Sequence, residues 1–359
     1  MRYGIIGCGM MGQEHLQNIA LLPGAEVAAI YEPDDEMAGR ATAIAPGAVR
    51  CDSLAALLAH PALDVLLIAS PNDCHADQLA AIAAARPLPV LVEKPLFTDP
   101  GDLSRLEALG RDYPAMIWVA MEYRYMPPIA RLLEIAEAET GGISMLTIRE
   151  HRFPFLHKVD AWNRFNARTG GTLVEKCCHF FDLMRLALGS EPVRVLASAG
   201  QAVNHKAERY DGATPDIWDH GYVIVEFASG ARAMLELCMF AEGARYQEEI
   251  SAVGPLGKIE AMVPGPQRFW PEELGTAPVP KVVVSPRAPK GPRVLDLPID
   301  PALQAAGDHN GSTFHQHQKF LAALQTQRAP EVSLADGIAA VRMGHAAQEA
   351  ARENAIVTL

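Results

Sequence analysis

The stretch Met1-Arg-Tyr-Gly-Ile-Ile-Gly-Cys-Gly-Met-Met-Gly12 decides how the rest of the chain is read. Arg2 to Ile6 is a short apolar run with β-branched residues, the pattern of a buried strand. Gly7, Gly9 and Gly12, with Met10 and Met11 between them, form G-x-G-x-x-G. Glu14 to Leu22 follows with apolar positions at Leu16, Ile19, Ala20 and Leu22, which predicts a helix. In such a strand–turn–helix unit the first glycine permits the tight turn. The second lets the backbone approach a pyrophosphate, and the third lets helix and strand pack closely. The free amides at the helix start then face phosphate, where the helix dipole favours negative charge.

A second strand, Ala25 to Tyr31, ends at Glu32, about 20 residues past Gly12, where a carboxylate accepts hydrogen bonds from a ribose. Pro33, Asp34 and Asp35 follow, with no Arg or Lys at the strand end. That acidic cluster repels a 2′-phosphate, so NAD rather than NADP is the expected cofactor.

Strand and helix go on alternating to about residue 121, which predicts a parallel sheet. The runs 64–69, 90–92 and 115–121 read as strands, and 35–45, 54–58, 76–85 and 102–111 as helices. Ligands sit outside the carboxyl ends of such strands. Gly7–Gly12, Glu32, Ser70-Pro71-Asn72 with His75, and Glu93-Lys94-Pro95 all fall at that edge, as the candidate cofactor contacts. Lys94 precedes a proline, so its backbone is held out of a helix. A fixed cation there suits a substrate hydroxyl or the nicotinamide ribose.

At 359 residues, with 49% hydrophobic and 21% charged residues, the chain suggests a globular protein of two domains. The net charge of −12 argues against nucleic acid or anionic membrane as a partner. No apolar run reaches a membrane span. The first strand stands where a leader peptide would have to be, so none is expected. Six cysteines without a C-x-x-C fit reduced thiols and a cytoplasmic location. Cys177-Cys178-His179 lacks the usual ligand spacing, so no metal is expected.

These ordered motifs resemble the Gfo/Idh/MocA family, NAD(P)-dependent enzymes acting mostly on sugars and cyclitols. The likeness continues through Tyr123-Arg-Tyr125, Gly170-Gly171 and the final helix. It implies a Rossmann dinucleotide-binding domain over 1–121, then a substrate-binding and oligomerisation domain over 122–359. The second would be α+β, with a large, mostly antiparallel open sheet and assembly as a homodimer or homotetramer. The residues agree: 144–150, 193–199, 221–227, 231–239, 248–253 and 258–262 read as strands pairing in antiparallel hairpins. Helices are expected over 128–139, 313–325 and 334–353, with the Pro/Gly-rich 264–301 as a long surface excursion.

After Gly171 the chain reads as a helix that puts Glu175 and His179 on one face, with Asp182 able to reach the same side. A carboxylate beside a histidine orients the ring and raises its basicity. The resemblance makes His179 the proton acceptor, with Lys94 steadying the substrate oxygen. The family has Asp where Glu175 stands, and Lys176 follows it, so Glu175 and Lys176 complete the candidate catalytic set. Between Arg149 and Lys176 six cations face three acids. Arg152, Lys158 and Arg164, interleaved with His157, Trp162 and Asn163, suit a sugar ring or an anionic group. With Tyr123, Arg124 and His309 they are the candidate substrate contacts. Two readings of the cationic run stay open: a pocket for an acidic or sulfonated sugar, or a loop paired with the acidic first domain. Three functions follow. The first is an NAD-dependent oxidation of a pyranose or cyclitol hydroxyl. The second is an NAD-dependent glycosidase working by transient oxidation, elimination, water addition and re-reduction, for instance on a sulfoquinovoside-like glycoside. The third is a non-catalytic NAD and sugar sensor.

Overall fold

The computed structural model describes residues 1–359. Six strands, β1 (Arg2–Ile6), β2 (Glu26–Tyr31), β3 (Val49–Arg50), β4 (Val65–Ile68), β5 (Val90–Val92) and β6 (Ile117–Val119), form one parallel sheet. Their order is β3-β2-β1-β4-β5-β6, the doubly wound Rossmann order. β4 and β5 are buried along their whole length, as strands covered on both faces must be. The order reverses between β1 and β4, so the loops after these two strands meet. Gly7 has φ of 88°, and a Cβ there would lie 2.5 Å from the Ser70 backbone. A Cβ on Gly12 would lie 2.4 Å from the Gly7 carbonyl oxygen. The two glycines are thus required by close approach.

The helix after the loop spans Met10–Ala20, starting four residues before the expected Glu14. Gly9 precedes it with no side-chain cap, which leaves the first amides free.

The second sheet holds β7 (Met145–His151), β8 (Pro192–Gly200), β9 (His220–Phe227), β10 (Arg232–Cys238), β11 (Glu248–Val253), β12 (Gly257–Val263), β13 (Lys281–Pro286), β14 (Arg293–Asp296) and β15 (Val357–Thr358). Its order is β14-β13-β12-β11-β7-β10-β9-β8-β15. Neighbours are antiparallel except β7 and β10, which run parallel, contrary to a purely hairpin pairing. β14 was not expected: Arg-Val-Leu-Asp is short and lies between prolines 292 and 298. It pairs with β13, so the 264–301 excursion ends as a hairpin of the sheet. One face is apolar and buried, with Leu146, Ile148, Val223, Val225, Ala233 and Leu235. Helices Pro127–Thr140 and Leu334–Glu353 pack against β12 and β8. The opposite face leaves Met145, Tyr222, Ile224, Val253 and Val294 exposed.

Helix Leu334–Glu353 starts with a capping box between Ser333 and Asp336 and then touches both sheets' layers. A Cβ on Gly337 would lie 2.8 Å from Val119 in β6, and one on Gly344 would lie 2.7 Å from the Leu173 carbonyl. One cluster of 77 buried apolar residues accordingly runs through both sheets. No helix is long and apolar enough to cross a membrane.

Candidate active site

The loops that follow β1, β2, β4 and β5 come together at the carboxyl edge of the parallel sheet. Space around the Cβ position of Gly9 is open, beside the uncapped start of helix Met10–Ala20, so the residues fit a pyrophosphate. The Glu32 carboxylate accepts the Cys8 amide at 2.6 Å and the Asp34 amide at 2.9 Å, which fixes it at the loop. Arg50 arrives from β3, a cation the linear sequence did not place there. Its guanidinium is held by Asp35 at 2.7 Å and the Glu32 carbonyl at 3.3 Å. Asn72 is 5% exposed, and its Nδ2 has no partner. Ser70 donates to Gln78 at 2.6 Å. His75 sits differently from expectation: its ring nitrogens meet the Pro95 carbonyl at 2.8 Å and the Ser70 carbonyl at 3.0 Å. It ties together the two loops that flank Lys94 and is fully buried, so it has no free atom for the cofactor.

Lys94 leaves the end of β5, and its Nζ reaches the Glu175 carbonyl at 3.4 Å. Burial works against its charge, yet Cys178, Glu93, Glu175 and Glu122 outweigh this and raise its pKa. Cys178 is pushed up to about 12 by burial and stays a neutral thiol, so the carboxylates carry the effect. Glu93, beside it, opens a buried chain. Glu93 Oε1 meets His15 Nε2 at 2.9 Å, His15 Nδ1 meets His317 Nε2 at 2.9 Å, and His317 Nδ1 meets the Tyr3 hydroxyl at 3.2 Å.

The Glu175–His179 pair does not form. Helix Thr172–Glu175 ends before helix Cys178–Leu188 begins, and the break at Lys176–Cys177 turns the Glu175 carboxylate elsewhere. Glu175 Oε1 lies 3.5 Å from Lys158 Nζ. Asp182 takes both arms of the Arg124 guanidinium, at 2.6 and 2.5 Å, which withdraws both residues from the substrate side. His179 stacks on Tyr123 instead, with ring centroids 4.1 Å apart and 8° between planes. Burial, then Lys94, Lys176, His309 and Arg152, hold its pKa well below the usual range, so the ring is neutral.

Lys176 donates to the Tyr123 hydroxyl and pairs with Glu150 Oε1 at 2.8 Å. Glu150 on β7 stands opposite Glu248 on β11, and both are fully buried. Burial, then Glu150, pushes Glu248 up to about 7, against Lys176, Gln247 and Arg152.

His309 joins Glu14 and Glu122. Its Nδ1 contacts Glu14 Oε1 at 2.8 Å, and its Nε2 lies 3.6 Å from Glu122 Oε1. Thr313 and the Asp308 amide also bond Glu14. Three ligand-type atoms thus lie within 4.8 Å of one another. Burial disfavours the His309 imidazolium, but Glu122 and Glu14 outweigh it and push its pKa up to about 9.

The cationic run is neutralised by distant carboxylates. Arg164 pairs with Glu208 at 2.9 Å, Arg168 with Asp73 at 2.8 Å, and Arg149 with Glu236 at 3.1 Å. Arg152 lies 3.6 Å from Glu150 and over the Phe153 ring. Arg164 and Asn163 are buried structural residues, Asn163 bonding the Leu156 carbonyl, and His157 is exposed. Lys158 rests 4.3 Å over the Trp162 ring. Asp160 and Ala161 between them have φ of 55° and 48°, a costly left-handed pair that turns this segment inward. From the excursion, the Phe269 ring packs tilted against Phe153, with centroids 4.7 Å apart.

Glu122 Oε1, Glu150 Oε2, Glu175 Oε2, His179 Nδ1 and Glu248 Oε2 have no hydrogen-bond partner, on residues no more than 3% exposed. Unpaired buried polar atoms are costly and call for a partner. Glu122 and Glu175 act on Lys94, Glu122, Glu150 and Glu248 act on Tyr123, and His179 stacks on Tyr123.

Residues 1–121 match the family profile described as oxidoreductase family, NAD-binding Rossmann fold. Residues 134–359 match oxidoreductase family, C-terminal alpha/beta domain. An inositol 2-dehydrogenase of Rhizobium meliloti (strain 1021) is 29% identical over 266 residues, 73% of this chain and 75% of that one. The myo-inositol 2-dehydrogenase of Thermotoga maritima is 23% identical over 100% of this chain and 98% of that one. Among solved structures, a levoglucosan dehydrogenase in complex with NADH and levoglucosan has a TM-score of 0.81 at 21% identity, covering 100% of this chain and 99% of that one.

Proposed function

The chain belongs to the Gfo/Idh/MocA oxidoreductase family, and on that premise we propose that it oxidises a secondary hydroxyl of a neutral cyclitol or pyranose with NAD. One observation carries the reading: the partnerless polar atoms of Glu122, Glu175 and His179, buried beside Lys94 and Tyr123, are ones that a polyol's hydroxyls would satisfy. NAD, bound along Gly7–Gly12, Glu32 and Asn72, supplies the hydride acceptor. Lys94 would hold the carbinol oxygen and stabilise negative charge developing on it. His179, neutral, would accept a hydrogen bond from a substrate hydroxyl. Neutral substrates are favoured because the cations of 149–176 already face carboxylates. A division into an NAD-binding unit over 1–121 and a substrate unit over 122–359 belongs to the same proposal, as does a homodimer or homotetramer built on the exposed sheet face with Tyr222 and Ile224.

A second reading, the redox glycosidase, draws on the additional acid–base groups Tyr123, Lys176 and Glu150, since elimination demands more proton transfers. One assay separates the readings. NAD+ is offered with myo-inositol, scyllo-inositol, glucose, levoglucosan and their aryl glycosides where these exist. NADH formation from a free polyol is the expected result, and no turnover of any polyol would sink the proposal. Aglycone release without net NADH supports the glycosidase.

A further inference from the structure

We propose that Tyr123, backed by Lys176 and the cross-strand carboxylates Glu150 and Glu248, takes the proton of the carbinol, in place of His179. The inference rests on the reading of this site as a polyol dehydrogenase. His179 has lost the acidic partner that would strengthen it: Glu175 faces Lys158 and Asp182 faces Arg124. Burial, then the cations around it, disfavour a second proton on the ring. Burial, then Glu248 and Glu150, hold the phenol proton on Tyr123, so Tyr123 acts by passing that proton to Lys176 as it takes the new one. Tyr123 lies parallel to that ring at 4.1 Å, and Lys94 acts on the same imidazole, so the phenol packs directly against the histidine it would replace. Behind the hydroxyl the path is continuous: Lys176 bonds it and pairs with Glu150 at 2.8 Å, and Glu150 stands against Glu248 across the β7–β11 ladder.

The step balances. The carbinol O–H bond breaks and its proton passes to Tyr123 Oη. The Tyr123 proton passes to Lys176 Nζ, which has given one of its own to Glu150. Lys176 and Tyr123 end unchanged, and Glu150 ends protonated. The C–H electron pair leaves as hydride to NAD, the oxidant of the proposed reaction. Lys176, Arg152 and Gln247 are the groups facing Glu248 besides Glu150, and the Glu248 carboxylate is lost as pH falls through about 7.

The test uses the full chain with NAD+ and whichever panel polyol turns over fastest. Tyr123→Phe, with folding checked by NADH binding, is expected to lower kcat about 100-fold or more while KM stays within about threefold. His179→Asn is expected to lower kcat less. The wild-type kcat profile should fall on the acid side, and Glu248→Gln should move or remove that limb. Independently of turnover, infrared spectra should show a carboxylic-acid carbonyl band just below pH 7, where ordinary carboxylates stay ionised, that Glu248→Gln abolishes. If Tyr123→Phe keeps more than a tenth of kcat, if His179→Asn is the more damaging, or if that band is missing, the inference is overturned. Absence of turnover with every polyol would overturn the dehydrogenase reading and the inference with it, whereas turnover that survives in Tyr123→Phe removes the inference alone.

Discussion

Two buried polar arrays flank the site, and they are finished to different degrees. On the Rossmann side, Glu93, His15, His317 and Tyr3 form a chain in which every ring nitrogen has a partner. It has one direction. Burial keeps the Tyr3 hydroxyl protonated, so it donates to His317, His317 donates to His15, and His15 donates to the Glu93 carboxylate. On the sheet side, Tyr123, Lys176, Glu150 and Glu248 leave carboxylate oxygens without partners. A saturated array has nothing left to offer a ligand and acts by holding Glu93, and so the start of Lys94, in place. An unsaturated one keeps lone pairs and protons in reserve for a reaction.

Substitutions can break or sharpen this contrast. The largest effect is expected at Lys94, between the arrays: Lys94→Ala should lower kcat about 10³-fold with NADH affinity little changed, read by steady-state kinetics and fluorescence titration. Next come opposite outcomes in the two arrays. His317→Leu leaves His15 unsatisfied and should cost about 2 kcal/mol in urea unfolding, with kcat only mildly reduced. Glu248→Gln should leave stability equal or higher and reduce kcat. The reverse pattern would show that the arrays had been assigned the wrong way round.

A smaller effect is expected from pH. The folded-state pKa of His309, about 9, lies above its ordinary 6.5. Its contribution to stability is therefore complete below 6.5 and lost as pH rises through 9. Melting temperature should decline over that window and decline less in His309→Gln. Glu248, raised from 4.5 to about 7, also lowers stability as pH rises, over 4.5 to 7. The smallest effect concerns the cationic run. Arg164→Ala, which leaves Glu208 its bonds to His205 and Tyr210, should change KM for a neutral polyol less than about twofold. A sharp rise in KM would restore the anion-binding reading.

What the sequence disclosed was local. Gly7 to Gly12, Glu32, Ser70 to Asn72 and Lys94 are each read within one turn of chain, and each lies where the strand–helix rhythm puts it. What it hid depends on partners far along the chain. Glu14 meets His309, and His15 meets His317, across about 300 residues. Arg164 and Arg149 looked free because Glu208 and Glu236 are distant in sequence. Glu150 and Glu248 did leave a signal. In β7 the buried face reads Leu146, Ile148, Glu150, and in β11 Glu248, Ile250, Ala252, so a carboxylate interrupts each apolar alternation. The broken helix at Lys176–Cys177 gave none, since both residues keep near-helical angles, and a small bend suffices to redirect Glu175.

Helix Leu334–Glu353, wedged against Val119 of β6 and against Leu173, bears on how this protein can be recombined. The last helix in the chain seals the interior of the first unit, so a chimera that exchanges residues 1–121 alone would inherit a mismatched seam at Gly337. A graft from a relative would have to carry the helix along with the nucleotide fold. The two ends of the chain therefore have to fit one another, although the family matches divide it near its first third.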